Sequence, residues 1–331
     1  MTDRFLLVLW LTSRCNLHCS YCYASAGDGG RDMDFETARK AIDGLGDRPL
    51  KIQFAGGEPT LNYPLAERIC RYTREKGLDV RFQMQTNGTL LTEDMVRSMK
   101  NHGISLGVSL DGVPEINRLT RGNTAEAVRG VQILRQQGIT VGINAVVTKA
   151  NVQALPKLVD FAFYLQNVGG IGLDLLRHAG RGSTSADAQP EQLQQALTDM
   201  YLRSRELQSL FGFQLELREV ALAKKRLLGL GDREKYCYAS CGRSAVVLPD
   251  GRLYPCGSLI GDGYCLGTCD RMEPEGFPHL RSEDREGCGS CRYSHFCPRG
   301  CPSRQIRNGN NLECVLLKTA FSLAERELHE H

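Results

Sequence analysis

The stretch FLLVLWLTSRCNLHCSYC, residues 5–22, decides the fold. Phe5 to Leu11 is an unbroken apolar run of strand length, the pattern of a buried strand. It leads directly into three cysteines spaced Cys15-x3-Cys19-x2-Cys22. A cubane [4Fe–4S] cluster has four irons and ordinarily takes four cysteine thiolates. Three close thiolates without a nearby fourth leave one iron open to something that is not protein. The competing reading is zinc, for which C-x2-C pairs with a distant partner are the commoner pattern.

The bulk composition narrows the choice. Fourteen cysteines in 331 residues, with no export signal, argue against disulfides and for metal ligation in a reducing cytoplasm. Phe5–Leu11 is too short for a signal peptide, and no apolar stretch approaches membrane-spanning length. A cytoplasmic protein with no membrane partner is expected. With 41 basic and 38 acidic residues, the net charge of +3 gives no nucleic-acid footprint. Hydrophobic residues at 41% suffice for a large core. The length exceeds one ordinary domain, although an α/β barrel absorbs most of it.

Outward from the opening strand, short apolar runs alternate with amphipathic segments, which predicts a parallel α/β sheet. Strands are expected at Phe5–Thr12, Lys51–Phe54, Val80–Thr86, Ile104–Leu110, Val141–Val147 and Ile171–Leu176. Helices are expected near Asp34–Leu45, Pro64–Lys76, Thr92–Asn101, Thr124–Gln137 and Ala154–Leu165. Thr92, followed by Glu93 and Asp94, reads as an N-cap with an acidic first turn. Six such units form a partial (β/α)6 TIM-like barrel. A long helix follows near Gln192–Leu210, and from Cys237 the composition becomes cysteine-rich. The division is thus residues 1–230 and 231–331.

In a parallel barrel, chemistry collects at the C-terminal ends of the strands. Here every such end is polar or glycine-rich. The cysteine triplet follows strand 1, and Gly56-Gly57-Glu58-Pro59 follows strand 2. Gln85-Thr86-Asn87-Gly88 ends strand 3, and Ser109-Leu110-Asp111-Gly112 ends strand 4. Asn144 lies on strand 5, and Arg177-His178 follow strand 6. Two glycines permit close backbone approach to a ligand, Pro59 fixes the turn, and exposed carbonyls with Glu58 suit a positively charged amine. Arg121 offers a fork for a carboxylate. Asn144 either meets ligand or ties the sheet together. His102 and His178 read as structural, and Cys70 as a small core residue.

The triplet and the Gly-Gly-Glu-Pro turn together resemble the radical S-adenosylmethionine (radical SAM) enzymes. The resemblance implies that Cys15, Cys19 and Cys22 hold a [4Fe–4S] cluster whose open iron binds S-adenosylmethionine. It implies that the turn holds the methionyl amine and that the backbone at Tyr21 meets the adenine. Gln85, Ser109 and Arg121 then meet the methionine carboxylate or the ribose. A flavodoxin- or ferredoxin-type electron donor is implied as a partner.

The second cysteine region has its own pattern: Cys241-x9-Gly251-x4-Cys256, then Cys288-x2-Cys291-x5-Cys297-x3-Cys301, and Cys314. Pro249-Asp250-Gly251-Arg252 reads as a hairpin turn between short strands. The spacing resembles the SPASM extension of radical SAM enzymes that mature peptides and proteins. By that resemblance two auxiliary iron–sulfur clusters are expected. Cys241, Cys256 and Cys301, with Cys237 as fourth ligand, hold the first; Cys288, Cys291, Cys297 and Cys314 hold the second. Cys265 and Cys269 are not required. The alternative is a pair of zinc knuckles.

Leu253-Tyr254-Pro255-Cys256 through Leu266-Gly267 looks most like the peptide-thioether maturases. A peptide or protein substrate is therefore expected, with haem, quinone or molybdo/tungsto-enzyme cofactor maturation as the alternative. Sulfatase maturases carry an acid immediately after the second auxiliary cysteine, where this chain has Gly257, so a sulfatase substrate is disfavoured. With strand 1 at the start of the sequence, any leader peptide is expected to be read by a separate leader-binding protein.

Overall fold

The computed structural model describes residues 4–231, 235–261, 263–309 and 311–329. Strands and helices alternate through the first half: β1 (Phe5–Thr12), α1 (Phe35–Asp43), β2 (Leu50–Gly56), α2 (Tyr63–Glu75), β3 (Val80–Thr86), α3 (Glu93–Asn101), β4 (Ile104–Ser109), α4 (Pro114–Thr120), α5 (Thr124–Gln136), β5 (Val141–Val147), α6 (Leu155–Leu165) and β6 (Val168–Leu175). Polar caps fix several starts. Asp34 accepts from the Thr37 amide at 2.7 Å to open α1, and Thr92 accepts from the Met95 amide at 3.3 Å to open α3. Strands β1 to β6 pair in chain order and in parallel, as successive βαβ units do.

The second half adds α7 (Pro190–Phe211), β7 (Glu216–Leu217), α8 (Arg218–Leu227), β8 (Ser244–Val247), β9 (Leu253–Tyr254), α9 (Pro302–Asn308) and α10 (Leu312–His329). Strand β7 extends the sheet beside β6. Strand β8 pairs in parallel with β1, from Leu6↔Ser244 to Leu9↔Val247, and β9 returns antiparallel through the expected hairpin. The nine-stranded sheet runs β7-β6-β5-β4-β3-β2-β1-β8-β9. The barrel is partial, with the cysteine-rich region as an extension of its β1 edge. Helix α10 packs on α7 and α8, and one continuous core joins β1–β6 to Phe277, Tyr293 and Phe321. The boundary expected near residue 230 adjoins residues 232–234, which lie outside the described residues.

Three differences from the sequence reading have local causes. Strand β6 begins at Val168 rather than Ile171, because Gly169 and Gly170 hide an extended start. Helix α4, seven residues opened by Pro114, is too short for a periodic signal. Helix α8 falls between the long helix and the cysteine-rich region, α9 and α10 lie where the cysteine pattern dominated the reading, and α10 is apolar on more than one side because it packs between elements.

Candidate functional site

A cavity of about 420 Å³ opens at the C-terminal ends of the strands. Cys15, Cys19, Cys22, Tyr21, Gly56, Gly57, Glu58, Gln85, Ser109, Arg121 and Asn144 all line it. With Asp174 and Arg177 from the end of β6, residues from six strand ends thus meet in one chamber. Pro59 is buried and opens a 3-10 turn, Pro59–Asn62, behind the cavity wall.

The loop after β1 and the turn after β2 are stitched together. Gly57 donates its amide to the Thr12 carbonyl at 2.8 Å, and Glu58 donates to the Arg14 carbonyl at 2.9 Å. A Cβ on Gly56 would fall 2.3 Å from the Thr12 oxygen, and one on Gly57 would fall 2.1 Å from the Arg14 oxygen. The glycines are therefore needed for backbone approach to the cysteine loop as well as lining the cavity. Glu58 is also differently engaged. Its Oε1 accepts from the Thr60 amide at 3.2 Å, the Thr60 hydroxyl at 2.6 Å and the Thr86 hydroxyl at 2.7 Å; its Oε2 accepts from the Asn87 amide at 2.7 Å. Burial still pushes this carboxyl above the ordinary range. Its carboxylate braces the turn.

Arg121 faces the triplet. Its Nη1 lies 4.0 Å from Cys19 Sγ, and its guanidinium lies 5.4 Å from the Tyr21 ring. Its Nε sits 3.1 Å from Asp111 Oδ2 as an ion pair without hydrogen-bond geometry, so this buried N–H lacks a hydrogen-bond acceptor. Burial disfavours the charge on Arg121, but Asp111, Tyr21 and Cys19 together outweigh it and the guanidinium stays protonated. Asp111 is wholly buried; its Oδ2 accepts from Tyr21 and, at 2.8 Å, from Thr120, while its Oδ1 accepts from the Val146 amide at 3.0 Å. The sequence marked Asp111 only as a strand-end polar residue. A Leu-Asp-Gly strand end before an arginine was the signal available.

The other wall carries more charge than expected. Gln85 donates to Ser109 at 2.9 Å, and Asn144 accepts from Arg218 at 3.1 Å. Arg218 reaches in from α8, a helix the sequence reading lacked. Asp174, Arg177 and Arg181 also line the chamber. Arg177 donates to Asp174 at 2.6 Å, and Arg181 donates to the carbonyls of Cys19 (2.8 Å) and Ala26 (3.0 Å). Of the residues read as structural, Cys70 is buried in the core, and His178 pairs with Asp187 at 2.9 Å.

The thiols group as two tail sets and one barrel set. Cys15 lies within electrostatic reach of Cys19 and Cys22, and burial pushes its thiol up to about 11. Cys237 is similarly raised to about 11 by burial and faces Cys301 and Cys256; the Cys241 thiol contacts the Cys237 carbonyl at 3.6 Å. Burial also raises Cys297, which faces Cys314, Cys288 and Cys291. Among the described residues, no three His, Cys, Asp or Glu side chains close around one point as a single-ion site does. Cys269 is buried and Cys265 is exposed, and neither is among the thiols that act on these sets. The donor chemistry fits three iron–sulfur clusters, and the open cavity beside the first set fits a bound small molecule.

A second cavity, of about 380 Å³, adjoins the first. Tyr23 and Ala24 line both. Its floor is apolar, with Trp10, Leu248 and Ile260, and Gly257 opens it: a Cβ there would lie 3.3 Å from Trp10 and 3.5 Å from the Tyr23 hydroxyl oxygen. This chamber lies between the triplet loop and the hairpin of the cysteine-rich region. Among the described residues, no helix is long and apolar enough to cross a membrane.

Comparison with known proteins agrees with this geometry. Residues 11–162 match the Radical SAM superfamily. An uncharacterised protein of Methanocaldococcus jannaschii is 33% identical over 294 residues, covering 85% of this chain and 93% of that one. The Fe-coproporphyrin III synthase of Methanosarcina barkeri is 37% identical over 216 residues, covering 62% of this chain and 53% of that enzyme. The solved structure of native anSMEcpe with bound AdoMet superposes with a TM-score of 0.80 over 98% of each chain, at 22% identity. That likeness extends the shared fold through the cysteine-rich region.

Proposed function

The chain belongs to the radical SAM superfamily of enzymes, and from that premise we propose that it cleaves S-adenosylmethionine reductively and takes a hydrogen atom from a peptide substrate during peptide maturation. The observation that carries this reading is the convergence of three thiols, the Gly-Gly-Glu-Pro turn and Arg121 on one cavity. A [4Fe–4S] cluster held by Cys15, Cys19 and Cys22 would supply the one electron that breaks the C5′–S bond of S-adenosylmethionine, with methionine as the leaving group, so the hard chemistry would be the cofactor's.

The chain's own residues bind and orient. Cys15, Cys19 and Cys22 supply three thiolates on a loop fixed by Arg181 and by the turn after β2. Carbonyls of that turn accept the methionyl amine, and Arg121 pairs with the carboxylate. Asp111 holds Arg121 in place and contributes most to keeping it charged against burial. Gln85, Ser109 and Asn144 offer hydrogen bonds to the ribose side. Cys237, Cys241, Cys256 and Cys301 hold the first auxiliary cluster, and Cys288, Cys291, Cys297 and Cys314 hold the second. The substrate occupies the chamber beyond Tyr23, between the radical source and the first auxiliary set. A flavodoxin- or ferredoxin-type protein supplies the electron, and a separate protein reads any leader peptide. Residues 1–230 serve radical generation and residues 231–331 serve the substrate step.

Anaerobic reconstitution, with dithionite as reductant and 5′-deoxyadenosine release as the readout, tests the first half. No release from the reconstituted enzyme would refute it. A second reading, maturation of a tetrapyrrole or metal cofactor, is favoured by the 37% identity to the Fe-coproporphyrin III synthase. Substrate-dependent stimulation of that release, by a short Cys-rich peptide encoded beside the gene or by an iron-tetrapyrrole precursor of Fe-coproporphyrin III, separates the two.

A further inference from the structure

We propose that Arg304 and Asn308 are positioning residues that clip the first auxiliary cysteine set to the β6 wall of the S-adenosylmethionine cavity. This rests on the function proposed above. Both residues lie on α9, whose first residue, Pro302, directly follows Cys301. Arg304 is buried, 6% exposed, and its fork points two ways. Its Nη1 donates to Asp174 on β6, a residue of the cavity wall. Its Nε and Nη2 grip Glu313 of α10, the latter at 3.0 Å, and Nη2 also donates to the Tyr236 hydroxyl at 2.8 Å.

Four charges thus alternate in a line from cavity to tail: Arg177, Asp174, Arg304, Glu313. The cavity end of that line touches the shared wall, since Arg177 lies 5.7 Å from the Tyr23 ring. Asn308 makes a second clip one helical turn on. It donates to the Leu176 carbonyl at 2.7 Å and accepts from the His178 amide at 3.1 Å. Helix α9 therefore fixes the segment from Asp174 to His178, which carries three cavity-lining residues. The fit around Glu313 is tight: a Cβ on Gly300, at φ +86°, would fall 2.2 Å from its Cγ.

Only a planar fork serves both carboxylates, so lysine at 304 keeps the charge but loses one side of the clip. A part confined to folding predicts lower thermal stability with unchanged ligand affinity. A positioning role predicts weaker S-adenosylmethionine binding at full iron content.

The experiment measures S-adenosylmethionine affinity by anaerobic equilibrium dialysis on the full chain, reconstituted with iron and sulfide, for Arg304→Lys and Asn308→Ala. Each is expected to bind about five- to tenfold more weakly than the parent at parental iron content, the scale of coupling between linked sites. Linkage is reciprocal, so saturating S-adenosylmethionine should raise the chelator concentration needed to strip the tail irons. A folded, fully loaded Arg304→Lys protein with parental affinity overturns the proposal, as does absence of that protection. Should Arg304→Lys not fold, Asn308→Ala decides alone, and parental affinity there overturns it. If the unaltered enzyme releases no 5′-deoxyadenosine while the affinities fall as expected, the function reading fails and the positioning role stands.

Discussion

The two cysteine regions are built on opposite plans. The triplet lies on a loop held by groups that need no metal: Cys15 donates its amide to the Gly27 carbonyl at 2.7 Å, and Arg181 and the turn after β2 grip the same loop. Buried Asp111 sets the guanidinium that faces it. The segment from Gly257 to Cys301, by contrast, has among its described residues two short 3-10 turns and no strand or α-helix. Few of its side chains enter the core; Phe277 and Tyr293 are the largest. The lesson is a division between a metal site made by the fold and a fold made by metal sites. In small metal-rich modules, ligation is itself folding free energy.

The largest effect expected from this contrast is local to chemistry. Cys19→Ala should abolish 5′-deoxyadenosine release, because loss of one thiolate destroys the three-thiolate geometry. Its melting temperature should stay near the parent's, since neighbouring groups hold the loop. Release at the parental rate would remove the triplet from the mechanism.

Iron removal should expose the other plan. Loaded protein should contain about twelve irons, three cubane clusters. Stripped protein should be cut by protease between Gly257 and Cys301 while residues 4–231 persist as a resistant core. Replacing Cys288 and Cys291 with alanine should have the same local effect. 5′-Deoxyadenosine release should then survive while product formation falls. A tail that resists protease equally with and without iron would erase the contrast. Bound zinc in place of iron would revive the zinc-knuckle reading.

How much of this was legible follows the same division. The barrel strands appear in the sequence because each is an apolar run bounded by turns, and β1, β3 and β5 agree with the reading at both ends. The cavity residues were legible because strand ends in a parallel barrel converge, so position along the chain implied position in space. Asp111, Asp174, Arg218 and Arg304 were not. Each acquires meaning only through a partner at least ten residues away, such as Arg304 with Asp174 or Arg218 with Asn144. Pairing across elements leaves no local pattern to read. The pairing of β8 with β1 was hidden for that reason too, because four residues carry no signal of which edge they join.

Asp111→Asn sharpens the claim that the barrel site is pre-formed. Asparagine can keep some hydrogen bonds from Tyr21 and Thr120 but removes the charge beside Arg121. Leaving that buried guanidinium without its counter-ion should cost about 3–5 kcal/mol of stability, read as a lower midpoint in denaturant. S-Adenosylmethionine affinity should fall because Arg121 loses its anchor. Unchanged affinity and midpoint would show that Asp111 does not set the site.

Gly57→Ala is the mildest test for the fold and the most local. The added methyl would stand 2.1 Å from the Arg14 carbonyl oxygen, so the loop carrying Cys15 must move away from the turn after β2. Overpacking of this kind costs about 1–3 kcal/mol, within what a large shared core can absorb. The fold should survive and the tail should load normally, since no tail cysteine touches this turn. What should fail is the triplet, leaving about eight irons, two cubane clusters, and little 5′-deoxyadenosine release. Iron content at the full value with normal release would mean that the cysteine loop tolerates displacement. Pre-organisation by the Gly-Gly-Glu-Pro turn would then not be what fixes the radical-generating site.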